Sequence, residues 1–200
     1  MLIFPSSSNK RISSNPISSK LVKSIFLAPM WVFLGGGGGG GGFQNSPAAA
    51  GGSGVVILKY TFGDATNQTF VFANTGQFVV PDGITTIDYL LVAGGGGGSL
   101  GTSGGGGGAG GFLTGTGYPV GPNQLYTIQI GAGGTAGIIA TNYLGLGKNG
   151  GNTVFNNSTT SYGGGAGGGW SNSAIAPSDP NGFSGASGGG RCKPYSGYVV

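Results

Sequence analysis

Histidine is absent from this chain of 200 residues, cysteine occurs once (Cys192), and only four residues are acidic: Asp64, Asp82, Asp88 and Asp179. Without histidine there can be no His-based catalytic triad and no Cys/His metal cluster, and a single thiol forms no intramolecular disulfide. Cys192 reads as a small buried residue near a chain end, with intermolecular pairing as the alternative. Charged residues make up 6% of the chain. Lys10, Arg11, Lys20 and Lys23 crowd the start, so the net charge of +4 belongs to that end and the remainder is formally neutral. A neutral body has no basic stripe for phosphate groups, and no nucleic-acid partner is expected. The apolar run Ile25 to Leu34, interrupted by Pro29, is too short for a transmembrane helix.

Glycine is abundant, at 50 residues. Such a share normally points to disorder, because glycine loses more backbone freedom on folding than any other residue. Disordered chains are also poor in apolar groups, whereas this one is 38% hydrophobic and 10% aromatic, which implies a buried core. Helix has almost no support: each glycine costs about 1 kcal/mol in a helix relative to alanine, and no glycine-free window keeps a period of 3.6.

Residues 1–30 form a basic, Ser-rich leader expected to be disordered, with a secretory signal or a transit peptide as competing readings. The preferred reading runs this leader into a strand at Met30 to Leu34. Residues 31–65 read as an abbreviated glycine-rich repeat closed by the β-branched strand Val55 to Tyr60, and residues 66–200 as the glycine-rich domain itself. The repeat rests on two echoes. Trp31 to Leu34 entering poly-Gly resembles Leu90 to Ala93 entering poly-Gly, and Ser53 to Val56 resembles Ser196 to Val200.

Strands are expected at Thr69 to Phe72, at 77–80, at 84–93 and at 125–130, where alternation places Tyr126, Ile128 and Ile130 on one face. Pro81-Asp82-Gly83 predicts a hairpin between the second and third of these, and strands 77–80, 84–93 and 125–130 are expected to pair as one sheet. Asn149-Gly150-Gly151 reads as another hairpin turn, leading to Thr153-Val154-Phe155.

The glycine runs abut these strands, as at 35–42, 94–98, 104–111, 131–137 and 163–169. A linker would mix serine freely with glycine. Extended helices of the polyproline-II type have three residues per turn, rise about 3.1 Å per residue and lack internal hydrogen bonds, so their amides must pair with neighbouring chains. The expected fold is therefore all-β with polyglycine II helices: a small β-sheet beside a packed bundle of extended Gly-rich segments.

The stretch Gly76-Gln77-Phe78-Val79-Val80-Pro81-Asp82-Gly83 through Leu90-Leu91-Val92-Ala93-Gly94-Gly95-Gly96-Gly97 resembles the opening of the glycine-rich domain of phage tail-fibre and adhesin-like proteins. The segments Gly105 to Gly111 running into an apolar pair, Tyr126 to Gly134, and Asn149 to Phe155 followed by Tyr162 to Gly165 are similar in the same order. The resemblance implies a non-enzymatic structural or binding module at a virion tail fibre or cell surface. It further implies recognition of a host receptor or glycan by loops between rods, with no cofactor and no metal. Other fibre proteins or a second copy of the chain are possible partners. A looser resemblance, in the Gly runs alone, is to the glycine-rich extracellular region of anaplastic-lymphoma-type receptor kinases. The alternative function is a glycine-rich matrix or cell-wall protein with no specific ligand.

Other motifs carry less. GxGxxG patterns lack a surrounding βαβ unit, and Gly147-Lys148 is followed by Asn149 rather than Ser or Thr, so neither reads as a phosphate-binding loop. Asp82 reads as a turn former and Asp88 as a solvent-facing strand residue. RNA-binding Arg-Gly-Gly repeats are missing, the only arginines being Arg11 and Arg191. The glycosylation patterns at Asn67, Asn156 and Asn157 matter only in a secreted eukaryotic chain. The receptor-binding candidates are the aromatics near Gly runs, Phe112, Tyr118, Tyr143, Trp170, Phe183 and Tyr195, since an aromatic ring can stack on a sugar or fill a partner's pocket. Their simpler role is to cap the edges of the glycine-rich packing.

Overall fold

The computed structural model describes residues 35–41, 47–100, 104–138, 145–169 and 181–192. The leader and the strand expected at Met30 to Leu34 lie outside these residues, as does the C-terminal echo Ser196 to Val200. The described residues are all β and extended chain, with no helix among them.

Eight strands form two antiparallel sheets. In chain order they are β1 (Val55–Thr61), β2 (Asn67–Phe72), β3 (Gly76–Val79), β4 (Thr86–Val92), β5 (Phe112–Pro119), β6 (Leu125–Gln129), β7 (Thr153–Phe155) and β8 (Thr159–Ser161). One sheet has the order β2-β1-β4-β5 and the other β3-β6-β7-β8. The expected single sheet is thereby corrected: β3 pairs with β6, but β4 pairs with β1 and β5 in the other sheet. Pro81 to Gly83 is a turn, with Gly83 at φ 78° and the Ile84 amide donating to the Pro81 carbonyl at 3.3 Å. It carries the chain from one sheet to the other instead of closing a hairpin.

Period-two alternation decides which faces are buried. In β1, Val56, Leu58 and Tyr60 point inward, and in β6, Tyr126 and Ile128 do. They meet Phe78, Val80, Ile84, Ile87, Leu91, Val120 and Phe155 in a single core that draws on both sheets, with Ile130 packed against it as the alternation predicts. Burying each such side chain is worth about 1.5–3 kcal/mol. The Phe155 ring stacks on Tyr126 with centroids 5.7 Å apart.

β5 has no counterpart among the expected strands. It runs antiparallel to β4 with a register shift between Ile87 and Tyr89. There Gly117 takes φ 64° and donates its amide to Asp88 Oδ1 at 3.0 Å. Gly115 leaves room for the Tyr89 ring, which a Cβ at that position would strike.

Residues 31–65, expected as an abbreviated repeat, contribute β1, which lies between β2 and β4, so their described part belongs to the same compact unit as the later chain. Their glycines join it too. Segment 93–100 sits amid six other glycine-rich stretches, and its amides turn to three of them in strict rotation. Gly94, Gly97 and Leu100 donate to Gly151, Lys148 and Gly145; Gly95 and Gly98 donate to Gly52 and Ala49; Gly96 and Ser99 donate to Gly108 and Gly105. Its carbonyls accept from the other three: at Gly94 and Gly97 from Gly164 and Gly167, at Gly95 and Gly98 from Gly134 and Gly137, and at Gly96 and Ser99 from Gly38 and Gly41. Every third residue therefore faces the same neighbour. The surrounding stretches also bond to one another, as Gly52 to Gly36, Gly51 to Gly134, Gly151 to Ala132, Gly150 to Gly164, Gly108 to Gly165 and Gly107 to Gly38. Asn149 belongs to one of these stretches, not to a hairpin turn: its Oδ1 accepts the Ala166 amide at 2.8 Å and its Nδ2 donates to the Ser184 carbonyl.

Candidate functional site

Six of the glycine-rich stretches have one end at a strand and the other away from the sheets. The strand ends are Gly54, Ala93, Gly111, Ile130, Asn152 and Tyr162, each next to β1, β4, β5, β6, β7 or β8. The far ends lie together. Gly41 donates to Ser99 and accepts from Gly104, and Leu100 donates to Gly145. A Cβ on Gly169 would touch the Leu100 carbonyl at 3.4 Å. The described residues Gly41, Leu100, Gly104, Gly145 and Gly169, which adjoin 42–46, 101–103, 139–144 and 170–180, therefore lie at one end of the glycine-rich body.

Two side chains tie this end together from inside. Ser99 is fully buried; its Oγ donates to the Gly167 carbonyl and accepts the Gly147 amide at 2.8 Å. Leu100 is buried as well, and a Cβ on Gly169 would press on Leu146 Cδ2 at 2.9 Å. At the strand end, Thr153 Oγ1 accepts the Gly131 amide at 3.0 Å. Ser161 Oγ is buried there with no hydrogen-bond partner. None of these polar groups was singled out by the sequence, because an isolated Ser or Thr beside glycine carries no pattern.

The six candidate aromatics separate. Tyr143, Trp170 and Tyr195 lie outside the described residues; Tyr143 belongs to 139–144 and Trp170 to 170–180. Phe112 opens β5 opposite Val92 and is 67% exposed. Phe183 is half-buried, with its amide on the Ala166 carbonyl and its own carbonyl accepting from Gly189. Tyr118 packs edge-on against Tyr89 and Phe155, at 5.8 and 5.4 Å between centroids, and its Oη is 3.4 Å from Ser158 Oγ. Tyr118 thus lies against the core, as an aromatic sealing an edge would. Phe112, Tyr118 and Phe183 are not brought into one cluster by any contact between their rings.

The titratable chemistry is sparse. Burial raises the Tyr60 phenol above its usual range. The Asp64 carboxylate is held below its usual range by hydrogen bonds from Thr66, whose amide donates to Asp64 Oδ1 at 3.0 Å. No group of three His, Cys, Asp or Glu side chains able to hold a metal exists among the described residues, and there is no helix among them long and apolar enough to cross a membrane.

An all-β body of paired strands continued by mutually hydrogen-bonded glycine runs defines the class. Residues 71–199 match the glycine-rich domain family, and the chain belongs to it. Comparison with curated proteins and with solved structures gives no significant match. The family match begins at Val71, yet residues 35–41 and 47–61 are hydrogen-bonded into the same body as the matched region.

Proposed function

We propose that the glycine-rich segments are polyglycine II helices packed as a bundle, and that the bundle is a rigid, non-enzymatic module of a virion tail fibre or surface adhesin. Its ligand is a host receptor or glycan, taken by the loops at the end away from the sheets. The helix assignment is supported by the three-residue rotation of the amides of 94–100, since a polyproline-II-type helix repeats every three residues and pairs only with its neighbours. The functional reading rests on one observation: the described residues that adjoin 42–46, 101–103, 139–144 and 170–180 lie at one end of the body. A scaffold that fixes several loops side by side is how recognition surfaces are commonly built. Trp170 and Tyr143 supply the aromatic faces that stack on sugar rings.

The test is binding of the purified chain to a glycan array and to candidate host cells. Saturable binding that falls by about tenfold in Trp170→Ala, equivalent to ~1.4 kcal/mol, is the expected result. Uniform absence of saturable binding would overturn the adhesin reading and favour a matrix or wall protein without a specific ligand.

A further inference from the structure

Glycine is needed inside the body because a Cβ there would strike backbone. At Gly95, Gly96, Gly97 and Gly98 an added Cβ collides with a neighbouring carbonyl oxygen. On the outward positions no such need exists, and the stretches beside β6 and β7 carry Ala132, Thr135, Lys148 and Asn149 there, all exposed. Segment 35–41 breaks this pattern. Gly36 and Gly39, one three-residue repeat apart, would meet nothing within 4 Å if a Cβ were added, and neither has a positive φ. Glycine costs about 0.5–1 kcal/mol against alanine in regular structure, so the fold as it stands gains nothing from glycine at these two positions.

The same face has unpaired backbone. Among the described residues, the amides of Gly36, Gly37, Gly39 and Gly40 and the carbonyls of Gly37 and Gly40 have no hydrogen-bond partner, whereas the other carbonyls of 35–41 all accept one. An open row of donors and acceptors is a template for another extended chain. Beside it runs a shallow cleft of about 430 Å³, lined by residues 36–39 and 49–53. The chain itself displays how such a face is covered. On the other side of the body, residues 182–190 lie outside segment 162–169: Gly165 and Gly168 donate to Ser187 and Gly190, and Phe183 and Ala186 donate back to Ala166 and Gly163.

We propose that the glycine face formed by residues 36–40, with the adjoining cleft, is a self-association surface that takes the same face of a second copy of the chain. An antiparallel two-fold pairing is self-complementary. The body already contains an antiparallel glycine pair bonded in both directions, with Gly35 donating to Ser53 and Gly52 donating to Gly36. The face is only five residues long, so the dimer is of the transient, concentration-dependent class. Close approach of two backbones explains why Gly36 and Gly39 are glycine.

Sedimentation velocity of the full chain over a concentration series reads this directly. The expected result is a sedimentation coefficient that rises with concentration in the wild type and stays flat in Gly36→Val/Gly39→Val, while Thr135→Val on another outward face behaves as wild type. Amide exchange of Gly36, Gly37, Gly39 and Gly40 in the wild type provides a second readout that needs no variant: these amides slow as concentration rises. A wild type monomeric throughout overturns the proposal, as does a folded valine variant that associates like wild type. Exchange of these amides that is equal at all concentrations also overturns it.

Discussion

A side chain on Gly96 would collide with the carbonyl oxygen of Gly165, while the Gly96 amide donates to Gly108 at 2.8 Å. Gly96 lies in the stretch that every surrounding glycine-rich segment touches, so its neighbour cannot retreat without breaking further hydrogen bonds. Gly96→Ala is expected to destabilise by about 1–3 kcal/mol or more, as overpacking of a filled interior does. Gly36→Ala, by contrast, is expected within about 0.5 kcal/mol of wild type. Urea unfolding of both variants checks this; equal midpoints would mean the interior glycines are not closely packed.

Ser99 links two glycine stretches that flank its own. Removing its hydroxyl leaves the buried Gly147 amide without an acceptor and the Gly167 carbonyl without this donor. An orphaned buried donor costs about 1–3 kcal/mol, so Ser99→Ala should lower the unfolding midpoint measurably. Faster exchange of the Gly147 amide in the variant locates the effect, and unchanged exchange would refute it.

How far the sequence disclosed this arrangement depends on whether a signal is local. The inward face of β6 was legible because Tyr126, Ile128 and Ile130 alternate within one short window. The sheet partners were not. A Pro-Asp-Gly turn between two strands reads as a hairpin, yet β3 and β4 find their partners in β6 and β1, and that choice depends on residues far away in the chain. β5 was hidden because Gly115 and Gly117 interrupt its pattern; they are there to admit the Tyr89 ring and to form the irregularity opposite Asp88. Among the site candidates, Phe112 and Tyr118 look alike as aromatics near glycine. Only the structure separates a ring open to solvent from one wedged between Tyr89 and Phe155.

The β7–β8 hairpin turns on Asn156 and Asn157, both left-handed at φ 51° and 54°, with the Ser158 amide donating to the Phe155 carbonyl at 3.3 Å. Consecutive positive φ values match the right-handed twist of a hairpin, and asparagine tolerates them where branched residues do not. Asn156→Val is expected to cost about 1–2 kcal/mol from the left-handed backbone alone, whereas Asn156→Gly should be close to neutral. Thermal unfolding of the pair tests the turn, and a valine variant as stable as the glycine variant would show that the left-handed conformation is not required.

Tyr60 is expected to cost the fold stability at alkaline pH. Its ring is buried in the core beside Phe78, and burial raises its pKa above the ordinary 10.0 because the phenolate loses hydration there. The unfolded chain therefore releases this proton first. Stability from this group is complete below the unfolded value and declines as pH rises through the folded one. Asp64 acts in the opposite direction: its lowered pKa contributes stability above the ordinary 3.8, lost as pH falls through the folded value. Being fully exposed, Asp64 has only a small effect. Unfolding midpoints measured from neutral pH to above pH 10 should fall in the wild type at the alkaline end, and Tyr60→Phe should flatten that fall while Asp64→Asn leaves it unchanged. If Tyr60→Phe loses stability with pH as steeply as the wild type, the buried phenol does not set the alkaline limit.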